Sequence, residues 1–165
     1  MVRQVQQGDT GESGGPMLIT VPLPPRGCSS NGDKGSWRKK AAATKVYRQE
    51  GIIATRNAPL PPAGVLRMSL VFCTKGVRAS GRYAPRDISN GVAAFKGCQD
   101  GLCEGWGVKD DHKHLQLGSV SIDNRRGPYV LVTIEAVGEP TTEADEASHK
   151  LGAADVRTST TIVGT

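Results

Sequence analysis

The residues best suited to chemistry are five carboxylates between positions 86 and 115 of a basic chain. The protein has 165 residues and a formal net charge of +5. Carboxylates gathered in one stretch repel one another unless cations lie between them. They therefore either bind a hard divalent cation or form the acidic side of a solvated helix and turn. The five are Asp87, Asp100, Glu104, Asp110 and Asp111.

The spacing of nearby apolar residues predicts that a helix carries part of this set. The helix is expected over residues 91–104, with Asn90 at its N-cap. Lys96 and Asp100 are four residues apart, so they share one face of this helix. The stripe that packs on a sheet, with one polar position, consists of Val92, Phe95, Gln99 and Leu102.

A metal site here requires the chain after the helix to fold back along it. Asp87 precedes the helix, and Asp110 and Asp111 follow it after a glycine-rich turn. A helix of this length is about 20 Å long, so its two ends cannot both contact one ion by helix geometry alone. A strand that starts near Val108 and runs antiparallel to the helix would bring the carboxylates together.

The order of these motifs resembles the RusA-type Holliday-junction resolvases, especially their phage-borne relatives. The motifs are Asp-x-x-Asn at 87–90, Lys-x-x-x-Asp-Gly-Leu at 96–102, and Asp-Asp at 110–111. A strand ending in Pro-Leu-Pro-Pro at 22–25, a basic Trp-Arg helix start at 37–38 and a late strand at 129–135 also resemble that family. The resemblance covers roughly residues 17–137.

Two departures from the family pattern concern the site itself. The family usually has a second Asp two residues after the first, and that position is Ser89 here. Serine carries no charge and is a poor ligand for Mg²⁺, so one metal contact is missing or mediated by water. About three extra residues also lie between Asn90 and Lys96, which is most of one helical turn.

The resemblance implies a metal-dependent endonuclease that cuts branched DNA as a homodimer, with Mg²⁺ as cofactor and Mn²⁺ as a substitute. The metal ligands implied are Asp87, Asp110 and Asp111, with Asp87 and Asp111 direct and Asp110 or Asp100 acting through water. Lys96 would contact the scissile phosphate or orient the water. The predicted catalytic set is Asp87, Lys96, Asp100, Asp110 and Asp111.

Two other interpretations remain open at this point. The protein is either a branched-DNA binder without activity, in which Ser89 marks a decayed metal site, or a basic interaction module whose acids are structural. For Lys96 the structural alternative is an ion pair with Asp100, which contributes only about 0.3–0.5 kcal/mol when exposed.

The charge distribution points to a polyanionic partner. Residues 17–137 hold 18 Lys and Arg against 9 Asp and Glu, a net of +9, while residues 1–16 and 138–165 carry −1 and −3. Such a cationic body is typical of DNA-binding proteins, although a solvated surface would also explain any single cation. The predicted DNA contacts are Arg38, Lys39, Lys40, Lys75, Arg78, Arg82 and Arg86.

The expected architecture is an α+β domain with the order β-α-β-α-β-β, in which two helices pack on a small mixed sheet. The last two strands, over 114–122 and 128–137, are expected to form an antiparallel hairpin. Residues 1–16 are predicted to be flexible, residues 17–137 to form the domain, and residues 138–165 to be a disordered acidic tail.

Cysteine usage and hydropathy predict a soluble intracellular protein, and the resemblance implies the cytoplasm of a bacterial or phage-infected cell. The four cysteines show no zinc-binding spacing, so free thiols in a reducing compartment are expected. No apolar run approaches the roughly 20 residues that a membrane-spanning helix needs.

Overall fold

Four strands form one mixed sheet in the order β1-β4-β2-β3. The computed structural model describes residues 15–29 and 37–138, so the predicted N-terminal segment and acidic tail lie almost entirely outside the described residues. The predicted α+β class, with helices on a small mixed sheet, is confirmed. The strands are β1 (Met17–Val21), β2 (Val65–Cys73), β3 (Leu115–Asp123) and β4 (Tyr129–Gly138).

The middle of the sheet is formed by β4 and β2, which pair antiparallel with Met68 opposite Ile134 and Leu70 opposite Val132. On the face that carries the helices, alternate residues of both strands are buried, as period-two alternation requires. The outer strand β1 pairs antiparallel with β4 in the same alternation.

The predicted antiparallel hairpin between the last two strands is wrong. β3 pairs in parallel with β2, and β2 lies between β3 and β4. The connecting residues 124–128 cross the end of β2, where the Lys75 amide donates to the Arg126 carbonyl at 2.9 Å. β2 is buried on one face and largely half-buried on the other, so it takes an interior position, whereas β3, which has a single buried residue, takes the edge.

Three helices accompany the sheet: α1 (Trp37–Arg56), α2 (Val77–Ser80) and α3 (Ile88–Trp106). The predicted order β-α-β-α-β-β did not include the short α2, so the element order is β-α-β-α-α-β-β. None of the helices in the described residues is long and apolar enough to cross a membrane.

Aromatic rings join the two long helices to the sheet. The Phe95 ring of α3 meets the Tyr47 ring of α1 and the Phe72 ring of β2 edge-on, with centroids 6.0 and 6.1 Å apart. All three side chains are fully buried. Edge-to-face contact of this kind adds about 0.5–1.5 kcal/mol beyond the area buried.

α3 begins three residues earlier than predicted, with Asp87 rather than Asn90 as its N-cap. The Asp87 carboxylate accepts a hydrogen bond from the Asn90 backbone amide at 2.8 Å. The helix ends at Gly107, which adopts the left-handed conformation with φ of 69°. Both termini therefore follow ordinary capping chemistry.

A stripe of glycines on α3 lets α1 approach very closely. A Cβ placed on Gly101 would lie 2.0 Å from the Arg48 carbonyl oxygen, and one on Gly97 would lie 2.9 Å from the Thr44 side chain. The contacts advance in the same direction along both helices, so α1 and α3 run parallel and start at the same end of the molecule. The sequence analysis did not identify this stripe.

All four cysteines are unpaired and buried, as their spacing predicted. Burial raises the pKa of Cys103 to about 12. These thiols therefore stay protonated and are poor nucleophiles at neutral pH.

Candidate functional site

The acidic stretch folds into a cluster around Lys96, in the middle of α3. The Lys96 ammonium contacts Asp100 at 2.8 Å and also pairs with Asp110, while the Gln99 amide donates to Asp110 at 2.7 Å. Helix periodicity places Lys96, Gln99 and Asp100 on neighbouring positions of one face. Asp110 reaches them from the chain that follows the helix.

The return of the chain after α3 takes an irregular path. The Val108 amide donates to the Cys103 carbonyl at 2.9 Å, which turns the chain back beside the last helical turns. Residues 108–110 then lead back to Lys96 and Gln99, residues 111–114 form a turn, and β3 begins only at Leu115. The predicted reversal occurs, but a loop rather than a strand starting near Val108 carries Asp110.

Electrostatics keep Lys96 and Asp110 ionised at neutral pH. Partial burial by itself raises the pKa of Asp110, but the hydrogen bonds that Lys96 and Gln99 donate outweigh it and hold that pKa below its ordinary value. Partial burial also disfavours the charged form of Lys96 and by itself lowers its pKa. The carboxylates of Asp100 and Asp110 more than reverse this effect, so the pKa of Lys96 is raised. Lys96 therefore remains an ammonium and Asp110 a carboxylate across the neutral range.

Asp111 points into a second set of contacts next to Asp110. Its carboxylate lies 2.6 Å from Nδ1 of His114 and accepts the backbone amides of Lys113 and His114 at 3.0 Å. The hydrogen bond with His114 is the main cause that lowers the pKa of Asp111. The turn before β3 thus fixes this side chain as an exposed anion.

A shallow pocket of about 280 Å³ joins Asp110 and Asp111. Gln99 lies on its α3 side, and β2 and β3 supply an apolar floor. Leu117, on this floor, is half exposed. The pocket is lined by Met68, Gln99, Asp110, Asp111, His112, Leu115, Gln116 and Leu117.

Asp87 lies away from this pocket along the helix. It precedes Lys96 by nine positions, which corresponds to about 14 Å along the axis of α3. Both of its carboxylate oxygens contact Asn90, through the backbone amide and the side-chain amide. Ser89 is exposed in the first turn of the same helix. The structure therefore brings Lys96, Asp100 and Asp110 together and leaves Asp87 at the N-terminus of α3.

The oxygen atoms around the pocket are of the type that a hard divalent cation prefers as ligands. Carboxylate oxygens are the ligands that Mg²⁺ prefers, and Mg²⁺ commonly takes only one or two of them because it keeps several waters. Asp110 and Asp111 supply two such groups on one pocket. In the described part of the chain, no three His, Cys, Asp or Glu side chains come close enough together to hold a metal ion.

The cations predicted to contact DNA divide into two groups. Arg38, Lys39 and Lys40 lie exposed on the first turns of α1. Near α2, Lys75, Arg78 and Arg86 are exposed, and Arg86 directly precedes Asp87. Since α1 and α3 start at the same end of the molecule, Arg86 and the α1 cations lie toward that end.

Arg82 differs from the other predicted cations because its guanidinium is engaged inside the fold. It forms two hydrogen bonds to Glu50, at 2.7 and 2.9 Å, and one to the Leu23 carbonyl at 3.2 Å. Its side chain is only 26% exposed. Arg82 therefore ties the loop after α2 to α1 and to the end of β1.

Gln99 is a site residue that sequence reasoning did not identify as functional. Its signal was present, because it is the one polar residue in the apolar stripe of α3. The structure shows that this position faces Asp110, which lies on the returning loop. A polar residue in an otherwise apolar stripe often marks such an internal partner.

No protein-family model matches the chain, and no curated protein is similar enough to count as a relative.

Proposed function

We propose that the chain is a magnesium-dependent endodeoxyribonuclease of the RusA type, which cleaves branched DNA such as a Holliday junction. The observation that carries the proposal is the reversal of the chain after α3. It brings Asp110 against Lys96 and Asp100, with Asp111 on the adjoining pocket. Residues that are dispersed through the motif thus meet at one place in the fold.

Asp110 and Asp111 are the carboxylates that would hold Mg²⁺, or Mn²⁺ in its place. Both line the same pocket, and the contacts that lower their pKa values keep them anionic. A bound ion of this kind supplies a nucleophilic water and neutralises charge on the transferring phosphate. Asp87 is the third acid of the proposed set, and its distance along α3 makes it the member to test first.

Lys96 is proposed to bind the scissile phosphate. Its ammonium is already held at the edge of the pocket by Asp100 and Asp110. When Asp110 turns to another cation, Asp100 remains as the partner that orients Lys96. Lys96 can then donate to a phosphate oxygen at the edge of the pocket, which favours positioning of the substrate.

Recognition of a junction is proposed to involve a homodimer and the cationic surface. Two symmetric cuts across a four-way junction require two active sites, which a two-fold dimer supplies. The exposed cations of α1 and of the loop around α2 would contact the phosphates on either side of each cut.

A branched-DNA binder without activity is the second candidate, and the placement of Asp87 favours it. Ser89 supplies no carboxylate, and the Asp87 carboxylate is engaged with Asn90. In this version the cationic surface binds DNA while the acids and Lys96 only stabilise the return of the chain after α3.

Cleavage of a labelled four-way junction with Mg²⁺ or Mn²⁺ tests the proposal. We expect the chain to nick the junction and Asp111→Asn to abolish nicking, because the substitution removes a carboxylate from the pocket while preserving its size. Glu104→Gln is the matched control, since Glu104 is an exposed acid of α3 that pairs with Arg48 and lies outside the pocket lining.

The other interpretations give different results in the same experiment. Salt-sensitive binding of the junction without cleavage under either metal would establish the binder and end the nuclease proposal. Equal affinity for branched and linear DNA, with no shift of the melting temperature by Mn²⁺, would leave only a basic interaction module.

A further inference from the structure

A second concave surface, which we call the α1 groove, lies beside the acidic cluster. Its volume is about 490 Å³. Its α1 residues recur at intervals of three and four, so they occupy one face of that helix. Asp100 closes the groove on the α3 side. The lining consists of Trp37, Lys40, Ala41, Thr44, Lys45, Arg48 and Asp100.

Trp37 stands open to solvent at the start of the groove. Its side chain is 76% exposed, and the Arg38 guanidinium lies 5.6 Å from the ring centroid. A cation over one face adds a cation–π contact and leaves the ring available for stacking on its other side. Exposed aromatic rings among cations are the platforms on which proteins stack unpaired bases.

Two lysines give the rest of the groove positive charge that no carboxylate partner in the described part of the chain compensates. Among the described residues, neither Lys40 nor Lys45 has a carboxylate partner, and Arg48 pairs with Glu104 outside the groove lining. The one acid of α1, Glu50, is engaged by Arg82. From Trp37 to Arg48 the helix face spans about 17 Å, long enough for several phosphates of one strand.

We propose that the α1 groove binds DNA where its strands separate, with Trp37 stacked on an unpaired base and Lys40 and Lys45 on the adjoining phosphates. In an intact duplex every base is stacked between its neighbours, so no base face is available for stacking on Trp37. The Asp100 carboxylate repels phosphate and ends the phosphate-binding stretch beside Lys96. The inference rests on DNA being the substrate of the proposed function, and it does not depend on cleavage.

Tryptophan fluorescence without divalent metal tests the stacking. The chain has two tryptophans, and Trp106→Phe leaves Trp37 as the only one. This variant loses no hydrogen bond, because the buried Nε1 of Trp106 has no partner among the described residues. We expect an oligo-dT strand and a duplex with a dT gap to quench Trp37, and an intact duplex of equal length to leave its emission nearly unchanged.

Affinities for the same three DNAs, measured on the otherwise native chain, provide a readout independent of Trp106→Phe. Trp37→Ala should weaken binding of the gapped duplex about 5- to 150-fold, the range for loss of one stacked base. Trp37→Phe should restore part of that affinity. Equal weakening for gapped and intact duplex, or no quenching by any probe, would overturn the stacking proposal.

The cations have their own matched pair of variants. Lys45→Ala should weaken binding of all three DNAs and reduce the slope of log affinity against log salt by about one. Arg56→Ala, at the other end of α1, should leave that slope unchanged. If no DNA binds at all, the proposed function fails too, whereas binding that is indifferent to Trp37 removes only this inference.

Discussion

Asp87 shows how one residue can satisfy two kinds of expectation. Its position before a helix suits a metal ligand of the proposed nuclease, and it equally suits an N-cap. In the fold its carboxylate accepts from the Asn90 backbone amide at 2.8 Å, which is capping geometry. Asparagine caps a helix about as well as aspartate but carries no charge. Substitution by asparagine therefore separates the two roles.

For Asp87→Asn we expect a free energy of unfolding within about 0.5 kcal/mol of the native chain, since the cap is retained. Asp87→Ala should lose about 0.5–2 kcal/mol. If Asp87 also serves the metal, Asp87→Asn loses junction cleavage by about 100-fold or more. Urea unfolding and a cleavage assay on the same preparations measure both quantities. Native cleavage by Asp87→Asn would remove Asp87 from the metal set and leave it as a cap.

At the scale of elements, the contact between α1 and α3 determines where the site lies. The glycine stripe of α3 allows the two backbones to meet, and the opposite side of α3 then faces the returning loop that carries Asp110. Glycines at such a contact cost helix propensity but permit closer packing. A larger residue in the stripe would push α3 away from α1.

We expect Gly101→Ala to lower the free energy of unfolding by about 1–3 kcal/mol, because the added methyl would lie 2.0 Å from the Arg48 carbonyl oxygen. Alanine favours a helix over glycine by about 1 kcal/mol, so without the clash the substitution would stabilise α3. Ala93→Gly, at an exposed position of the same helix, measures that propensity alone. Chemical denaturation of both variants checks the sign. A gain in stability by Gly101→Ala would contradict the close packing of the two helices.

Elements with strong hydrophobic periodicity were located well, whereas the pairing of the strands, which depends on tertiary contacts, was predicted poorly. The alternation in β2 and the apolar stripe of α3 located both elements. The turn residues after β3 resembled a hairpin, yet β2 occupies the place between β3 and β4. Local turn chemistry could not reveal that, because strand order follows from burial of the whole sheet.

The candidate site was predictable in its residues more than in its geometry. Type and spacing singled out Lys96, Asp100 and Asp110, which do come together. The sequence did not indicate which acid would cap the helix rather than bind a metal. Helix capping and metal coordination favour the same residue types. Arg82 was predicted as a phosphate contact, and no local sequence signal indicated its ion pair with Glu50, which lies 32 residues earlier in the chain.

For the molecule as a whole, the distribution of charge predicts how its ends affect DNA binding. Residues 17–137 carry a net +9, whereas residues 138–165 carry −3. Negative charge tethered to a cationic DNA-binding domain lowers the potential that attracts phosphate, and salt screens this effect over about 8–10 Å. The five acids concerned are Glu139, Glu143, Asp145, Glu146 and Asp155.

Removal of residues 139–165 should therefore tighten binding of a four-way junction a few-fold at low salt, and the gain should shrink as the salt concentration rises. A full-length variant with the five acids changed to Asn or Gln keeps the chain length and should bind at least as tightly as the truncated chain. Fluorescence anisotropy at two salt concentrations measures both effects. If truncation tightens binding while neutralisation of the acids does not, the effect comes from the presence of residues 139–165 and not from their charge. The electrostatic explanation would then be wrong.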